Sequence, residues 1–368
     1  MNDKLLKLYI EPTSHCNLSC KMCFRETWID ESYTHMDMSV FYNAISTMPQ
    51  SVETVFFGGM GEPLFHPSII EMITAVKSAG KNAELLTNGT LLRGNMITDL
   101  LNAGLDKLWI SVDSLKPRAH GEHSGHDTNI TKNISEFNKA RTIAASTIKL
   151  GIAFVVMKSN IGDLLYLPDF IRRYKVSDVN ISNLIPSDKA SWDEVLYGRL
   201  LGSDTFCESE DDSRATVKLP YMDWNDNTSQ LVLGTLMGST ADIKFGDQLL
   251  RRNTRYCRFV EEGHCFVRSD GDVSPCMALL HSAKTQLYND NRIVWHKSYG
   301  NLSVERLDEI WYSEEYTDFR DRVRNFSFSP CTRCGGCENR LDNITDCFGN
   351  ISPTCGGCLW SEGIVSCP

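Results

Sequence analysis

The chain reads as an α/β protein built on a partial parallel barrel, and two observations carry that expectation. From Lys4 to about Ser203, short apolar runs alternate with amphipathic helical stretches, an order that puts parallel strands beside one another with helices packed outside. The alternation counts six strand–helix units, which fits a partial (β/α)6, TIM-like barrel better than a closed ring of eight. In such a fold, ligands meet the C-terminal ends of the strands, and the residues with the most pointed chemistry lie there.

The first strand is expected over Leu5–Glu11, with Leu5, Leu6, Leu8 and Ile10 as its apolar run. It leads directly into Glu11-Pro-Thr-Ser-His-Cys16-Asn-Leu-Ser-Cys20-Lys-Met-Cys23. Three thiolates in CxxxCxxC spacing on one tight loop can take three corners of a cubane iron–sulfur cluster. With no fourth local cysteine, one iron stays open to a ligand that is not protein, as in metal sites that carry out chemistry. A zinc loop completed by His15 is the alternative, though adjacent His15 and Cys16 would crowd one ion.

Later strands are expected at Thr54–Gly58, Asn82–Thr87, Lys107–Asp113, Lys149–Met157 and Val179–Leu184. Helices are expected at Ser39–Met48, Pro67–Ala79, Arg93–Asn102, Asn129–Ser146 and Ile161–Tyr174. The second strand ends in Gly58-Gly59-Met60-Gly61-Glu62, where glycines allow close backbone approach to a ligand and Glu62 offers an anion for an ammonium group. The third ends at Thr87-Asn88-Gly89, first of all a turn signal. The fourth ends at Ser111-Val112-Asp113-Ser114, whose hydroxyl and carboxylate could hydrogen-bond a polar ligand, or where Asp113 could cap the next segment. His120, His123 and His126 follow at three-residue spacing that could suggest a metal, on a glycine- and acid-rich stretch that reads equally as an exposed loop.

The spacing of Cys16, Cys20 and Cys23, at the end of a first strand, resembles that of the radical S-adenosylmethionine (SAM) enzymes. The family usually carries an aromatic residue just before the third cysteine; here Met22 stands there and Phe24 follows. The resemblance implies that the open iron takes the amino and carboxylate groups of SAM. It also implies SAM contacts at Phe24, Gly59, Gly61, Glu62, Asn88, Ser111 and Asp113.

Bulk composition excludes several classes. A chain of 368 residues with 42% hydrophobic and 23% charged residues is ordinary globular protein, of about two domains. A net charge of −10 argues against a nucleic-acid partner. No apolar run approaches the roughly 20 residues of a membrane span, and the N-terminus lacks a signal-peptide pattern, so a cytoplasmic, reducing setting is expected. Between residues 204 and 254 the alternation stops. The acidic run Glu208–Asp212 there reads as solvated loop, Cys207 as a free thiol, and Leu219–Asp226 and Leu231–Met237 as strands or turns.

Ten of the fourteen cysteines follow Arg255, at spacings that suit metal ligation better than disulfides. Asp270-Gly271 is expected to turn a hairpin that brings Cys276 toward Cys257 and Cys265, and Val304–Arg324 is expected to be a helix burying Leu307, Ile310, Trp311 and Phe319. Gly271-xxxx-Cys276 preceded by Cys257 resembles the opening of the SPASM extension of radical SAM enzymes, which carries auxiliary 4Fe–4S clusters. That resemblance implies ligands among Cys257, Cys265, Cys276, Cys331, Cys334, Cys337, Cys347, Cys355 and Cys358. The first assignment places Cys257, Cys265, Cys276 and Cys347 on the nearer cluster and Cys331, Cys334, Cys337 and Cys358 on the farther, with Cys355 and Cys367 left over; two zinc sites are the alternative. The domains are then 1–203, a bridging segment 204–254, and 255–368.

Three stretches, Leu219–Trp224, Ser274–His281 and Asp346–Pro368, resemble radical SAM/SPASM maturases that accompany tungsten-cofactor oxidoreductases. This implies SAM cleavage to a 5′-deoxyadenosyl radical that abstracts hydrogen from a protein, peptide or pterin-type cofactor precursor, with a ferredoxin- or flavodoxin-type electron donor. Peptide crosslinking or sulfatase maturation are alternatives within the same chemistry. The molybdopterin-pathway enzyme acting on a purine nucleotide is a further one, although its C-terminal glycine pair is not present where this chain ends in Cys367-Pro368. From another class come an iron–sulfur electron carrier and a zinc-stapled binding protein.

Overall fold

The computed structural model describes residues 3–29, 32–116, 128–198, 216–219, 242–245, 248–249, 257–332, 334 and 337–368. The expectations for His120, His123 and His126, for Cys207 and the acidic run, and for Tyr221–Asp226 and Leu231–Met237 lie outside the described residues.

Six parallel strands run in chain order across the main sheet: β1 (Lys7–Ile10), β2 (Thr54–Phe57), β3 (Asn82–Thr87), β4 (Lys107–Val112), β5 (Lys149–Val156) and β6 (Asp178–Asn183). Each lies within a residue or two of its expected place. Alternate residues of these strands feed two separate clusters, as the two-residue period of a strand requires. Leu8, Ile10, Val55, Phe57, Leu85, Leu108, Ile110 and Ile152 join the large core with the helices, among them α1 (Met38–Thr47) and α2 (Ile69–Ser78). Tyr9, Phe56 and Trp109 face the other way, into a smaller cluster. Trp109 fits because its β5 neighbour is Gly151, where a Cβ would stand 2.4 Å from the indole.

The cysteine-rich stretch does not fold as a body separate from the first 203 residues. Its strand β10 (His264–Val267) pairs parallel with β1, Lys7 opposite His264 and Ile10 opposite Val267. β11 (Val273–Ser274) then pairs antiparallel with β10 after the Asp270-Gly271 turn, where Gly271 takes φ +93°. Among the described residues the sheet has eight strands, with β11 and β6 at its edges. Met1–Ser203 and Tyr256–Pro368 form one compact unit, and Asp204–Arg255 a second. Within that second unit, β7 (Thr216–Leu219), β8 (Asp242–Phe245) and β9 (Gln248–Leu249) form a small sheet.

Two expected helices are divided. Residues 304–324 give one helix at Leu307–Trp311 and another at Glu314–Asn325, because Ser313 caps the second, its Oγ accepting from the Tyr316 N–H at 3.4 Å. The stretch Ile161–Tyr174 starts as a 3-10 turn through Tyr166 and becomes α-helical at Leu167, with Pro168 in the first turn, where its missing N–H costs nothing.

Candidate radical SAM site and auxiliary cysteine groups

The cysteine loop leaves β1 at Glu11 and is held from several sides by its own chain. Arg25, 6% exposed, donates from Nη1 to the Ser14 carbonyl (3.3 Å) and from Nη2 to the Leu18 carbonyl (2.8 Å). The Cys23 N–H donates to the Cys20 carbonyl at 2.9 Å. Burial pushes the Cys20 thiol up to about 11, and the Asp113 carboxylate and the thiols of Cys23 and Cys16 add to that push. Burial also raises Cys23, opposed by the Arg25 backbone N–H and guanidinium. The charges of Asp113, Cys16 and Cys23 thus all act on Cys20, and that of Cys16 on Cys23. No spacing rule pointed to Arg25, although a basic residue two positions past the last cysteine was visible.

Glu62 is not presented to solvent. It is 2% exposed, and its carboxylate accepts from the Leu64 N–H (3.0 Å), the Thr87 hydroxyl (2.7 Å) and the Asn88 N–H (2.7 Å). Burial raises its pKa to about 7 against these three donors. Its own N–H donates to the His15 carbonyl at 2.8 Å. Glu62 thus ties the ends of β2 and β3 to the cysteine loop. Asn88 continues the link: its amide donates to Asn17 Oδ1 (2.9 Å) and lies 3.8 Å from Cys16 Sγ.

The two glycines approach protein in this structure. A Cβ on Gly61 would stand 2.0 Å from the Thr13 carbonyl oxygen, and one on Gly59, at φ +133°, 2.6 Å from the Glu11 side chain. Glu11 is itself buried. Its carboxylate receives Ser269 Oγ–H (3.1 Å), the Met60 N–H (3.2 Å) and His281 Nε2 (2.9 Å), and the Trp28 indole stacks on His281 at 3.9 Å. This pair went unnoticed in the sequence because its partners stand 270 residues apart.

Ser111 lies two residues after Trp109 on β4, and Asp113 follows directly beyond the strand's end at Val112. The turn beyond β4 is held by Asp163, which accepts from Ser114 Oγ (2.6 Å) and the Leu115 N–H (3.3 Å) and pairs with Lys116 (3.0 Å). Phe24 follows the cysteine loop at the start of a 3-10 turn, Phe24–Thr27. It lines a cavity of about 60 Å³ together with Cys276, Cys355 and Cys358, in the C-terminal region.

Cys276, Cys355 and Cys358 line that one cavity. Burial raises Cys257 to about 12 and Cys276 and Cys355 well above the ordinary thiol range, and the Cys358 charge adds to the push on each. The four thiols thus make a grouping that differs from the expected one. Cys265 does not join it: on β10 the side chain alternates into the large core, fully buried, beside the Tyr316 hydroxyl. Cys347, exposed, acts on Cys331 instead. Asp346 joins their loops by accepting from the Ser329, Phe348 and Asn350 N–H groups at 2.9–3.0 Å. Cys334 and Cys337 lie on the Cys331 loop, with Arg340 donating to the Cys334 carbonyl at 2.7 Å. Cys367 stands apart, accepting the Trp360 indole N–H at 3.3 Å.

The donor chemistry fits clusters. Four thiols raised by mutual burial are costly as thiolates unless a metal balances their charge. Among the described residues no three His, Cys, Asp or Glu side chains are grouped for a single metal ion. Arg292, 6% exposed, lies where its charge acts on both Cys331 and Cys358.

Family models concur with this geometry. Residues 10–152 match the radical SAM superfamily and residues 257–338 match SPASM, an iron–sulfur cluster-binding domain. The chain belongs to the radical SAM superfamily, in the branch that carries a SPASM domain. It is an enzyme that uses SAM and a 4Fe–4S cluster, with auxiliary iron–sulfur clusters. Its relatives include the tungsten-containing aldehyde ferredoxin oxidoreductase cofactor-modifying protein of Pyrococcus furiosus, 30% identical over 98% of this chain and 96% of that protein. The PqqA peptide cyclase of Gluconobacter oxydans is 26% identical over 95% of this chain and 90% of its own length. In fold, the chain is similar to Streptococcus suis SuiB bound to its precursor peptide SuiA (TM-score 0.55, 16% identity, 90% of this chain and 70% of that one). No helix among the described residues is long and apolar enough to cross a membrane.

Proposed function

We propose that this SPASM-type maturase acts in maturing the cofactor of a tungsten-dependent oxidoreductase, on a pterin-type cofactor or its precursor. The observation that carries this reading is the near full-length match to the Pyrococcus furiosus cofactor-modifying protein. Cys16, Cys20 and Cys23 would hold the cluster that binds SAM, and when bound that pair supplies reductive cleavage to methionine and a hydrogen-abstracting 5′-deoxyadenosyl radical. Cys257, Cys276, Cys355 and Cys358 would hold one auxiliary cluster, and Cys331, Cys334, Cys337 and Cys347 the other.

The chain's own residues orient and screen this chemistry. Arg25 fixes the loop carbonyls and favours the thiolates of Cys20 and Cys23 by its charge. Glu62 and Asn88 set the loop against the ends of β2 and β3. Ser111 on β4 and Asp113 just beyond it would bond the ribose or methionine part of SAM. A ferredoxin- or flavodoxin-type protein would supply the electron.

The test is anaerobic reconstitution followed by assay of 5′-deoxyadenosine with SAM and reductant, adding in turn tungstopterin cofactor, the apo-oxidoreductase and short peptides. Turnover stimulated by the pterin cofactor is expected. Stimulation by a peptide alone would overturn the proposal in favour of peptide modification.

A further inference from the structure

Arg292, on the strand Asp290–Val294, is a buried cation whose hydrogen bonds go to backbone carbonyls of both auxiliary cysteine loops. Nε donates to the Arg340 carbonyl at 2.6 Å and Nη1 to the Gly357 carbonyl at 2.9 Å. Gly357 lies inside Cys355-x-x-Cys358. Arg340 ends the turn that follows Cys337, and its own guanidinium binds the Cys334 carbonyl. The side chain also lines the cavity shared by Cys276, Cys355 and Cys358. Space for it depends on Gly357, where a Cβ would stand 2.2 Å from Nη2. Burial works against the charged guanidinium, and the charges that favour it are, in order, Cys331, Cys358 and Asp342. Asp290, on the same strand, is committed to Arg340. A guanidinium taken out of water needs partners close by, and its hydrogen bonds here go to one carbonyl of each cysteine loop.

We propose that Arg292 is an electrostatic bridge that raises the reduction potentials of both auxiliary clusters together. The inference rests on the ligand assignment of the preceding section. Each cluster gains one unit of negative charge when it accepts one electron, here from the reductant used in the titration. A fixed cation between the two sites stabilises that reduced state at each of them, since hydrogen bonds, net charge and burial set such potentials. The guanidinium fork also sets the distance between its charge and each loop, a role a flexible lysine fills only in part.

The experiment uses the full chain, reconstituted anaerobically, with iron and sulfide content and an EPR-monitored redox titration for the wild type, Arg292→Gln and Arg292→Lys. The cluster whose spectrum responds to SAM serves as internal reference. Arg292→Gln with full iron is expected to lower the potential of both auxiliary clusters by at least about 59 mV, a tenfold change in the reduced-to-oxidised ratio for one electron. The SAM-responsive cluster should stay put and Arg292→Lys should remain near wild type. Unmoved potentials at full iron, or a shift at only one auxiliary site, would overturn the bridge. If Arg292→Gln loses iron, retention in Arg292→Lys supports the charge role and loss in both overturns it. A wild type that loads a single cubane would overturn the cluster assignment along with this inference, whereas full loading with unmoved potentials overturns the inference alone.

Discussion

The two cysteine regions solve the same ligation problem in opposite ways. Cys16, Cys20 and Cys23 sit within eight residues, half-buried, on a loop whose shape is set by nearby backbone and by Arg25. Cys257, Cys276, Cys355 and Cys358 come from three distant segments and are brought together only when β10, β11 and the C-terminal loops pack. A local site survives small errors elsewhere in the fold but is accessible to solvent. A site gathered from afar is shielded, and each of its ligands depends on tertiary packing.

The sharpest way to break this contrast is to remove one thiol from each region. Cys20→Ala is expected to cut 5′-deoxyadenosine formation at least about a thousandfold, ~4 kcal/mol in barrier terms, while the auxiliary iron stays. Cys355→Ala is expected to lose about four irons, one cubane's worth, while SAM cleavage without substrate stays within about tenfold of wild type. Equal loss of activity in both would mean that the regions are not independent.

Next in size is the packing of the local loop. Gly61→Ala drives a methyl into the Thr13 carbonyl and should cost about 3 kcal/mol or more, read as a fall in Tm and in SAM affinity. Gly80→Ala, at φ +72° with no neighbour within 4 Å, should cost only about 1 kcal/mol. Similar losses for the two would contradict the close approach of β2's end to the cysteine loop.

A pH effect of comparable or smaller size follows from Glu62. Its folded pKa is raised from 4.5 to about 7, so its contribution is fully present below pH 4.5 and is lost as pH rises through about 7, up to ~3 kcal/mol. Glu62→Gln should flatten that part of the stability curve while lowering stability overall, because an amide cannot accept from all three donors. An unchanged slope between pH 4.5 and 7 in urea titrations would refute the assignment.

The smallest effect separates a ligand from a core residue. Cys265→Ala should keep all its iron and lose about 1–2 kcal/mol of stability, whereas Cys358→Ala should lose iron. Iron loss in Cys265→Ala would restore the sequence-based ligand set.

What could be read in advance follows the same division. The six strands were legible because their runs of Val, Ile, Leu and Phe are bounded by turn residues, and the first cysteine loop because its spacing is local. The partition of the auxiliary cysteines was not. Whether Cys265 points to metal or to core depends on strand alternation in β10, and the partnership of Cys355 and Cys358 with Cys257 depends on packing over about a hundred residues. The break at Ser313 was visible in principle, since a serine followed by two glutamates is an N-terminal helix signal. The roles of Glu62 and of Gly59 and Gly61 were legible as chemistry, but what each meets is set by Thr87, Glu11 and Thr13, which no spacing rule links to them.

The pairing of β10 with β1 makes the molecule a ruler. One strand ends in the loop that bears Cys16, and its neighbour rises between Cys257 and Cys276; the Glu11 N–H is still bonded to the Val267 carbonyl at 2.8 Å where the two strands finish. The placement of the Cys16 loop beside the strand between Cys257 and Cys276 is thereby set by the register of a hydrogen-bonded ladder, with a rise of about 3.3 Å for each residue. A slip of one residue would also turn Cys265 out of the core and Phe266 into it, so the packing on both faces of the sheet guards that register.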